Sequence, residues 1–220
     1  MRKTELVSIK AHDQYELSAK IDYPGEGEVS RIVVFCQGTG PGTYDLHRQV
    51  EEVEFDYFEL FASEFCRRGI GLCRWNTRGC TPSGKPPLFV DIDREQYGTY
   101  RPRNTIQDIV RVVQHLKGMA PFKNARVILL GQSEGATLAP FAARQCPEID
   151  ALLLMGFSCG NMRDIMDWQL SGGSSMVHIL AWFDFDHKGY VTQEDFEKDT
   201  FGARRLAFPD TSFEELDRNG

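Results

Sequence analysis

Apolar residues follow two patterns along the first 156 residues of the chain. Short continuous runs rich in Val, Ile, Leu and Cys are typical of strands that are buried on both faces of a sheet. These runs lie at 31–36, 70–75, 127–130 and 151–156. Between them, at 57–68 and 105–117, apolar positions recur every three or four residues, which predicts amphipathic helices. Because strands alternate with helices, we expect an α/β fold with a mostly parallel sheet flanked by helices.

The remaining stretches are less regular. Residues 4–12 and 15–23 alternate between apolar and polar positions, with a turn at Asp13-Gln14, and we predict a strand pair ahead of the parallel sheet. Residues 81–103 are rich in proline, glycine and charge and are predicted to form a long loop. Residues 160–170 are polar and contain methionine, and we expect them to begin an insertion.

The run at 127–130 leads directly into Gly131-Gln132-Ser133-Glu134-Gly135, and an Ala- and Leu-rich helix follows at once. In so tight a turn, a side chain at either glycine would clash with the neighbouring strand and helix. Ser133 would lie in strained backbone with its hydroxyl above the end of the strand, and the Glu134 N–H would face a developing oxyanion. The simpler interpretation is a glycine-flanked serine in an ordinary strand-to-helix turn.

A glycine-dense loop, residues 37–42, follows the predicted strand at 31–36. Open α/β sheets bind ligands beyond the carboxyl ends of their strands, and glycines let backbone N–H groups approach a ligand closely. The N–H of Thr39 is therefore a candidate for a second oxyanion donor. The alternative is a flexible loop without a binding role.

Composition narrows the classes of partner. The chain has 220 residues, a formal net charge of −7 and no stripe of lysine and arginine, which argues against a nucleic-acid partner. No apolar run approaches the roughly 20 residues of a membrane span. The six cysteines contain no C-x-x-C pair, and we expect reduced thiols in a cytoplasmic protein.

Three motifs at suitable spacing resemble those of the α/β-hydrolase superfamily. They are Gln37-Gly38-Thr39-Gly40-Pro41, which resembles its oxyanion loop, Arg74-Trp75-Asn76-Thr77-Arg78-Gly79, which resembles a conserved turn, and Gly131 to Gly135, which matches the nucleophile elbow in its G-x-S-E-G form. Residues 1 to about 160 thus look like the first six strands of that fold. The G-x-S-E-G form is similar to that of bacterial esterases and prolyl-oligopeptidase-like members. The resemblance implies that Ser133 is the nucleophile and that the amides of Thr39 and Glu134 are oxyanion donors.

The chain departs from the family after the sixth strand. Family members supply an acid and then a histidine base after the nucleophile, but here only His178 and His187 follow, and Asp164 is a poor acid. No complete triad can be assigned. We therefore expect a truncated hydrolase with little or no turnover. The sixth strand would then be an unpaired apolar edge, through which we expect homo-oligomerisation.

Residues 184–195 resemble an EF-hand loop between two helices, with glycine at loop position 6 and acidic residues at positions 1, 3 and 12. Lys188 stands at position 5, where an oxygen ligand is usual, and an Asp closes the loop where Glu is usual. We therefore expect calcium binding that is weak at best. The expected ligands are Asp184, Asp186, the Tyr190 carbonyl, Thr192 and Asp195. Residues 213–220 resemble the start of a second such loop, with Asp217 and Asn219 at positions 1 and 3.

The predicted organisation is an α/β-hydrolase core at 1–165 and a truncated, EF-hand-like helical lid or insertion at 171–220. The first functional hypothesis is a serine hydrolase that cleaves carboxylic ester, thioester or small amide bonds of a small-molecule acyl substrate through an acyl-enzyme on Ser133, with no cofactor required. The second is a calcium-responsive binding module without chemistry. The third is a catalytically inactive fragment of a longer enzyme.

Overall fold

The computed structural model describes residues 1–50, 52–86, 88–170, 179–199, 204 and 211–217. The contacts within the chain form two compact units, Met1–Phe157 and Ser158–Gly220. The assignment of 1–165 and 171–220 as a hydrolase core and a lid stays a prediction.

The first unit is built on a mixed six-stranded sheet. Its strands and those of two small hairpins are β1 (Arg2–Lys10), β2 (Glu16–Pro24), β3 (Arg31–Cys36), β4 (His47–Val50), β5 (Val53–Asp56), β6 (Ile70–Trp75), β7 (Cys80–Pro82), β8 (Val90–Ile92), β9 (Arg126–Gln132) and β10 (Ile149–Met155). The sheet order is β1-β2-β6-β3-β9-β10. The β6–β3, β3–β9 and β9–β10 pairs are parallel, whereas β1–β2 and β2–β6 are antiparallel. The predicted strand pair followed by a mostly parallel sheet is confirmed.

The α-helices in the described part of this unit are α1 (Tyr57–Arg67), α2 (Arg94–Gly98), α3 (Pro102–Gly118) and α4 (Glu134–Ala143). Helix α1 packs against one face of the sheet, and α3 and α4 pack against the other. Side chains alternate along β3, so that Val33 and Phe35 share one buried cluster with Phe58 of α1, while Ile32 and Val34 share the other with residues of α3 and α4. This alternation explains why β3 reads as a continuous apolar run.

Two buried arginines join the N-terminal strand pair to the sheet and to α3. Arg74 lies 2.5 Å from Asp22, and both side chains are almost fully buried. Arg78 donates hydrogen bonds to Asp13 and to the buried Asp108. The hydrogen bond from Arg78 lowers the pKa of Asp13 to about 2. Removing one partner would leave a buried charge unpaired, so these residues of the motif at 74–79 hold the fold together.

The predicted loop at 81–103 is wrong. Strands β7 and β8 pair as an antiparallel hairpin, and α2 follows them. Asp93 begins α2 by accepting hydrogen bonds from the N–H groups of Glu95 and Gln96, a capping signal that the richness in proline and charge obscured. The β4–β5 hairpin was also missed, because each of its strands has only four residues and shows no clear alternation.

Strand β10 forms one edge of the described sheet. Leu153, Leu154 and Met155 are exposed there, with 52% of Leu153 accessible to solvent. Apolar edges are prone to pair with other chains. Homo-oligomerisation through this edge stays a prediction.

The second unit contains α5 (Met162–Leu170), a helical stretch at 179–183 and the short helices Gln193–Lys198 and Phe213–Leu216. The polar stretch at 160–170 is thus largely helical. Phe183 and Phe196 form a small buried cluster with Ile179, Trp182, Val191 and Phe213 packed against it. The start of the predicted lid at 171–178, which includes His178, lies outside the described residues, and so does Asn219. Across the described parts of both units, no helix is long and apolar enough to span a membrane.

Candidate active site

Ser133 lies between the end of β9 and the first residue of α4, as the sequence predicts. Its backbone has a positive φ of 53° with ψ of −120°, a conformation that costs a non-glycine residue on the order of 1–3 kcal/mol. The Ser133 N–H donates a 2.8 Å hydrogen bond to the carbonyl of Met155, and the Ser133 carbonyl accepts one of 2.9 Å from the N–H of Ala136. The neighbouring strand and the first turn of the helix therefore hold the strained residue in place.

The two glycines of the turn are required by close packing. A Cβ at Gly135 would lie 2.1 Å from the carbonyl oxygen of Cys36, and one at Gly131 would lie 2.6 Å from the carbonyl oxygen of Gly135. Both distances are shorter than any real contact of a Cβ atom with backbone. The predicted clash is confirmed, and it explains how α4 can start immediately beside β3 and β9.

The glycine-dense loop at 37–42 lies next to this turn. A Cβ at Gly38 would be 3.2 Å from the Cβ of Ser133. The loop and its continuation are tied to the end of β6, because Thr77 N–H donates to the carbonyl of Gly42 and the side chain of Asn76 accepts from the N–H of Tyr44, each at 2.9 Å. Asn76 is therefore an anchor for the loop.

Ser133 and this loop line an open depression of about 210 Å³. The Ser133 side chain is exposed, and its hydroxyl has no hydrogen-bond partner among the described residues. Within the same residues, the backbone N–H groups of Thr39 and Glu134 have no partner either. A nucleophilic oxygen beside two uncommitted donors can support attack on a carbonyl group.

Comparison with known proteins bears on the fold. No family model matches the chain, and no curated protein does. Among solved structures, a hypothetical protein from Pseudomonas aeruginosa is similar with a TM-score of 0.52 and 12% identity, over 82% of this chain and 54% of that one. This likeness concerns the fold, a mixed sheet of six strands flanked by helices. The expected α/β fold is confirmed.

Two solved esterase structures are also similar. A cold-adapted esterase from an Arctic intertidal metagenomic library has a TM-score of 0.48 and 19% identity, over 70% of this chain and 60% of that one. Brefeldin A esterase, a bacterial homologue of human hormone sensitive lipase, has a TM-score of 0.49 and 14% identity, over 80% of this chain and 46% of that one. The chain thus spans less than two thirds of each of these structures, and at such identities the likeness concerns the fold alone.

The Glu134 side chain has a connection that the sequence did not reveal. Its carboxylate accepts a 2.6 Å hydrogen bond from the hydroxyl of Tyr100 and one of 3.1 Å from the hydroxyl of Thr39. Burial, as the larger cause, and the hydrogen bond to Glu134, as the smaller one, raise the pKa of Tyr100 above its ordinary value. Glu134 thus ties the loop at 37–42 to the start of α4, and no local pattern could have indicated a partner 34 residues away.

The described histidines have other surroundings. The ring of His47 lies 3.2 Å from the carboxylate of Glu54 and packs edge-on against Phe89. Burial lowers the pKa of His115. His12 is exposed, and His187 has a left-handed backbone conformation in the loop at 184–195. None of the three histidines of the first unit, His12, His47 and His115, hydrogen bonds to Ser133. In the second unit, Asp164 bonds to Asn161 at the start of α5. A triad acid and base are therefore not assigned.

The loop at 184–195 contains its own cation. The ammonium of Lys188 lies 2.8 Å from Asp186, 2.7 Å from Asp195 and 3.9 Å from Asp184. The Asp184 carboxylate also accepts hydrogen bonds from the backbone N–H groups of Lys188 and Gly189. The hydrogen bonds to Asp186 and Asp195 raise the pKa of Lys188, and those from Lys188 lower the pKa values of both carboxylates. The ammonium therefore lies among the side chains expected to bind calcium.

Thr192, another expected ligand, is also engaged. The Thr192 hydroxyl hydrogen bonds to Asp195 and begins the helix Gln193–Lys198, and the ring of Tyr190 lies 5.4 Å from the Lys188 ammonium. Within the described residues, no group of three or more His, Cys, Asp or Glu side chains is arranged to hold a metal ion. The residues of this loop do not fit a calcium ion while Lys188 lies among them. The EF-hand-like character and any weak affinity stay predictions.

Proposed function

We propose that the chain is a serine hydrolase that acts on carboxylic ester, thioester or small amide bonds through an acyl-enzyme on Ser133. The observation that supports this most is the strained backbone of Ser133, held with an exposed hydroxyl at the turn between β9 and α4. Such strain in a packed turn persists only where the surrounding structure enforces it, and it is common at functional sites.

In the proposed reaction, the oxygen of Ser133 bonds to the carbonyl carbon and the carbonyl electron pair moves onto its oxygen. The N–H groups of Thr39 and Glu134 stabilise that oxyanion, which then collapses and expels the alcohol, thiol or amine. Water releases the acyl group in a second attack. The proton of Ser133 passes through solvent water to the departing oxygen, sulfur or nitrogen. Because no histidine of the first unit hydrogen bonds to the hydroxyl, we expect slow turnover.

The experiment is reaction of the purified chain with a fluorophosphonate, followed by mass spectrometry of the adduct, together with hydrolysis of p-nitrophenyl acetate. We expect one adduct, on Ser133. In Ser133→Ala the adduct should be absent and the hydrolysis rate should fall to background. In an enzyme with a complete triad, loss of the nucleophile lowers kcat by about 10⁴-fold or more. Ser8→Ala, in β1, is the matched control. An adduct that persists in Ser133→Ala, with the fold intact by circular dichroism, would contradict the proposal.

Other parts of the proposal follow from the same unit. The open depression suits a small-molecule acyl substrate, and the mechanism needs no cofactor. All six cysteines are free, which supports a cytoplasmic location, where thiols stay reduced. The alternative of a calcium-responsive binding module has less support, because Lys188 already pairs with carboxylates of the loop at 184–195.

A further inference from the structure

Arg48, in β4, lines the same depression as Ser133. It is partly buried, and one of its terminal nitrogens, Nη1, donates hydrogen bonds of 2.7 Å to the carbonyl of His47 and 2.8 Å to the carbonyl of Leu88. These two bonds use both hydrogens of Nη1, so the donors on Nε and Nη2 remain available. Among the described residues, Arg48 has no ion-pair partner.

Three acidic side chains near β4 have other partners. They are Asp45, which binds Lys20, Glu54, which lies beside His47, and Asp56, which accepts from the N–H of Glu59 at the start of α1. Glu134, near the depression, is held by Tyr100 and Thr39. Arg48 is the one charged side chain among the described residues that line the depression. A partly buried guanidinium without a counter-ion is a ready site for an anion, although the chain as a whole is negatively charged.

We propose that Arg48 binds a carboxylate of the substrate, so that Ser133 acts on short esters whose acyl part ends in a carboxylate, such as half-esters of dicarboxylic acids. The Nε and Nη2 donors of a guanidinium form a planar fork that matches a carboxylate with two parallel hydrogen bonds. The rest of the lining is uncharged and includes the apolar Phe35 and Leu46, which suit a short methylene chain between the two ends of the acyl group. This inference rests on the proposed function, because it names the substrate class of the same site.

The first experiment compares kcat/KM for p-nitrophenyl hemisuccinate with that for p-nitrophenyl butyrate, which has an acyl chain of the same length without the charge. We expect wild type to prefer the charged ester by about 10- to 100-fold and Arg48→Gln to lose that preference. Arg48→Lys should keep only part of it, because an ammonium cannot form the planar fork. The matched control is Arg94→Gln, an exposed arginine of α2 outside the depression.

The second experiment measures binding without turnover. Titration calorimetry gives the Kd of methyl hydrogen succinate for Ser133→Ala and for Ser133→Ala combined with Arg48→Gln, with inorganic phosphate as a second probe. We expect the loss of Arg48 to weaken succinate half-ester binding about 10-fold, and phosphate to compete weakly, since the fork suits a carboxylate. Binding of phosphate more tightly than of the half-ester would overturn the carboxylate assignment.

The two experiments separate the two proposals. If wild type shows no Ser133-dependent hydrolysis but binding depends on Arg48, the proposed function fails and the anion site stands. If hydrolysis depends on Ser133 but Arg48→Gln changes neither the ester preference nor the Kd, the anion site is overturned. If neither hydrolysis nor Arg48-dependent binding is found, both proposals are overturned.

Discussion

The turn at Ser133 and the loop at 184–195 both contain polar groups in sharp turns, but they differ in whether those groups have partners. At Ser133 the hydroxyl and two nearby backbone N–H groups have no partner among the described residues. In the loop, the Lys188 ammonium pairs with the carboxylates of Asp186 and Asp195, and backbone N–H groups donate to the carboxylate of Asp184. The first arrangement leaves donors for a ligand, whereas the second supplies its own counter-ion and closes on itself.

The two centres also differ in what holds them. The Ser133 turn has no ion pair among the described residues and depends on backbone contacts too close for any Cβ. The loop at 184–195 depends on ion pairs, one with the exposed Asp186 and one with the half-buried Asp195. Packing of this kind does not respond to salt or pH, but exposed ion pairs do. The comparison can therefore be tested by substitutions that affect one mechanism and not the other.

The largest effect is expected from Gly135→Ala. The new Cβ would lie 2.1 Å from the Cys36 carbonyl oxygen, so that α4 must move away from β3, which we expect to lower the free energy of unfolding by about 3 kcal/mol or more. Urea denaturation measures it. Gly84→Ala is the control, since a Cβ there meets nothing within 4 Å. Equal stability of the two variants would show that the packing at the turn is not tight.

The next largest effect is expected from Lys188→Asn, which removes the internal cation and adds an oxygen ligand at loop position 5. We expect the variant to gain calcium binding with a Kd of about 10⁻⁴ to 10⁻³ M, because three carboxylates are left without a counter-ion. Calorimetry should detect no comparable binding in wild type or in Lys198→Asn, a lysine of the following helix. Micromolar calcium affinity in wild type would refute the self-closed loop.

A smaller effect is expected from Tyr100→Phe. It removes the 2.6 Å hydrogen bond to Glu134 and loosens the link from α4 to Thr39. We expect the rate of Ser133 modification to fall about 5-fold, in line with about 1 kcal/mol for one hydrogen bond, while ligand affinity changes little. Amide hydrogen exchange of residues 37–42 should become faster at the same time.

Tyr97→Phe is the control for that experiment. Tyr97 and Tyr100 line one cavity beside the loop at 37–42, but the Tyr97 hydroxyl bonds to no described residue. If Tyr97→Phe and Tyr100→Phe slow the reaction equally, the link through Glu134 has no special role in positioning the loop.

The smallest effect is expected from acid. The Lys188 hydrogen bonds lower the pKa values of Asp186 and Asp195, so their contribution to loop stability is present above the unfolded pKa of about 4 and is lost as the pH falls through the lower folded values. The protection of the amides of residues 184–195 against hydrogen exchange, relative to the intrinsic rate at each pH, should therefore fall below about pH 4. The turn at Ser133, which contains no such ion pair, should keep its protection over that range until the whole unit unfolds.

Local steric demands explain which features could be predicted from the sequence. The turn at Ser133 was predictable because its two glycines and the apolar run before them are adjacent in the chain, and the clash that they avoid is a local one. The parallel sheet followed from the continuous apolar runs. In contrast, Tyr100 and Arg48 reach the site through the tertiary fold, from a region predicted to be a loop and from a four-residue strand that was missed. Their roles depend on partners far away in sequence, so no periodicity could reveal them.

The hydrogen bond from the Ser133 N–H to the Met155 carbonyl has a consequence for the order of folding events. It joins the strained residue to the last residue of β10. The chain between β9 and β10 forms the crossover that contains α4, and this crossover must form before the two strands can pair in parallel. Such non-local parallel pairing forms late and slowly. We therefore expect the Ser133 backbone to adopt its strained conformation only after β10 has docked. An intermediate that lacks β10 would have a relaxed, unreactive serine, and reactivity toward a fluorophosphonate would appear as one of the last steps of refolding.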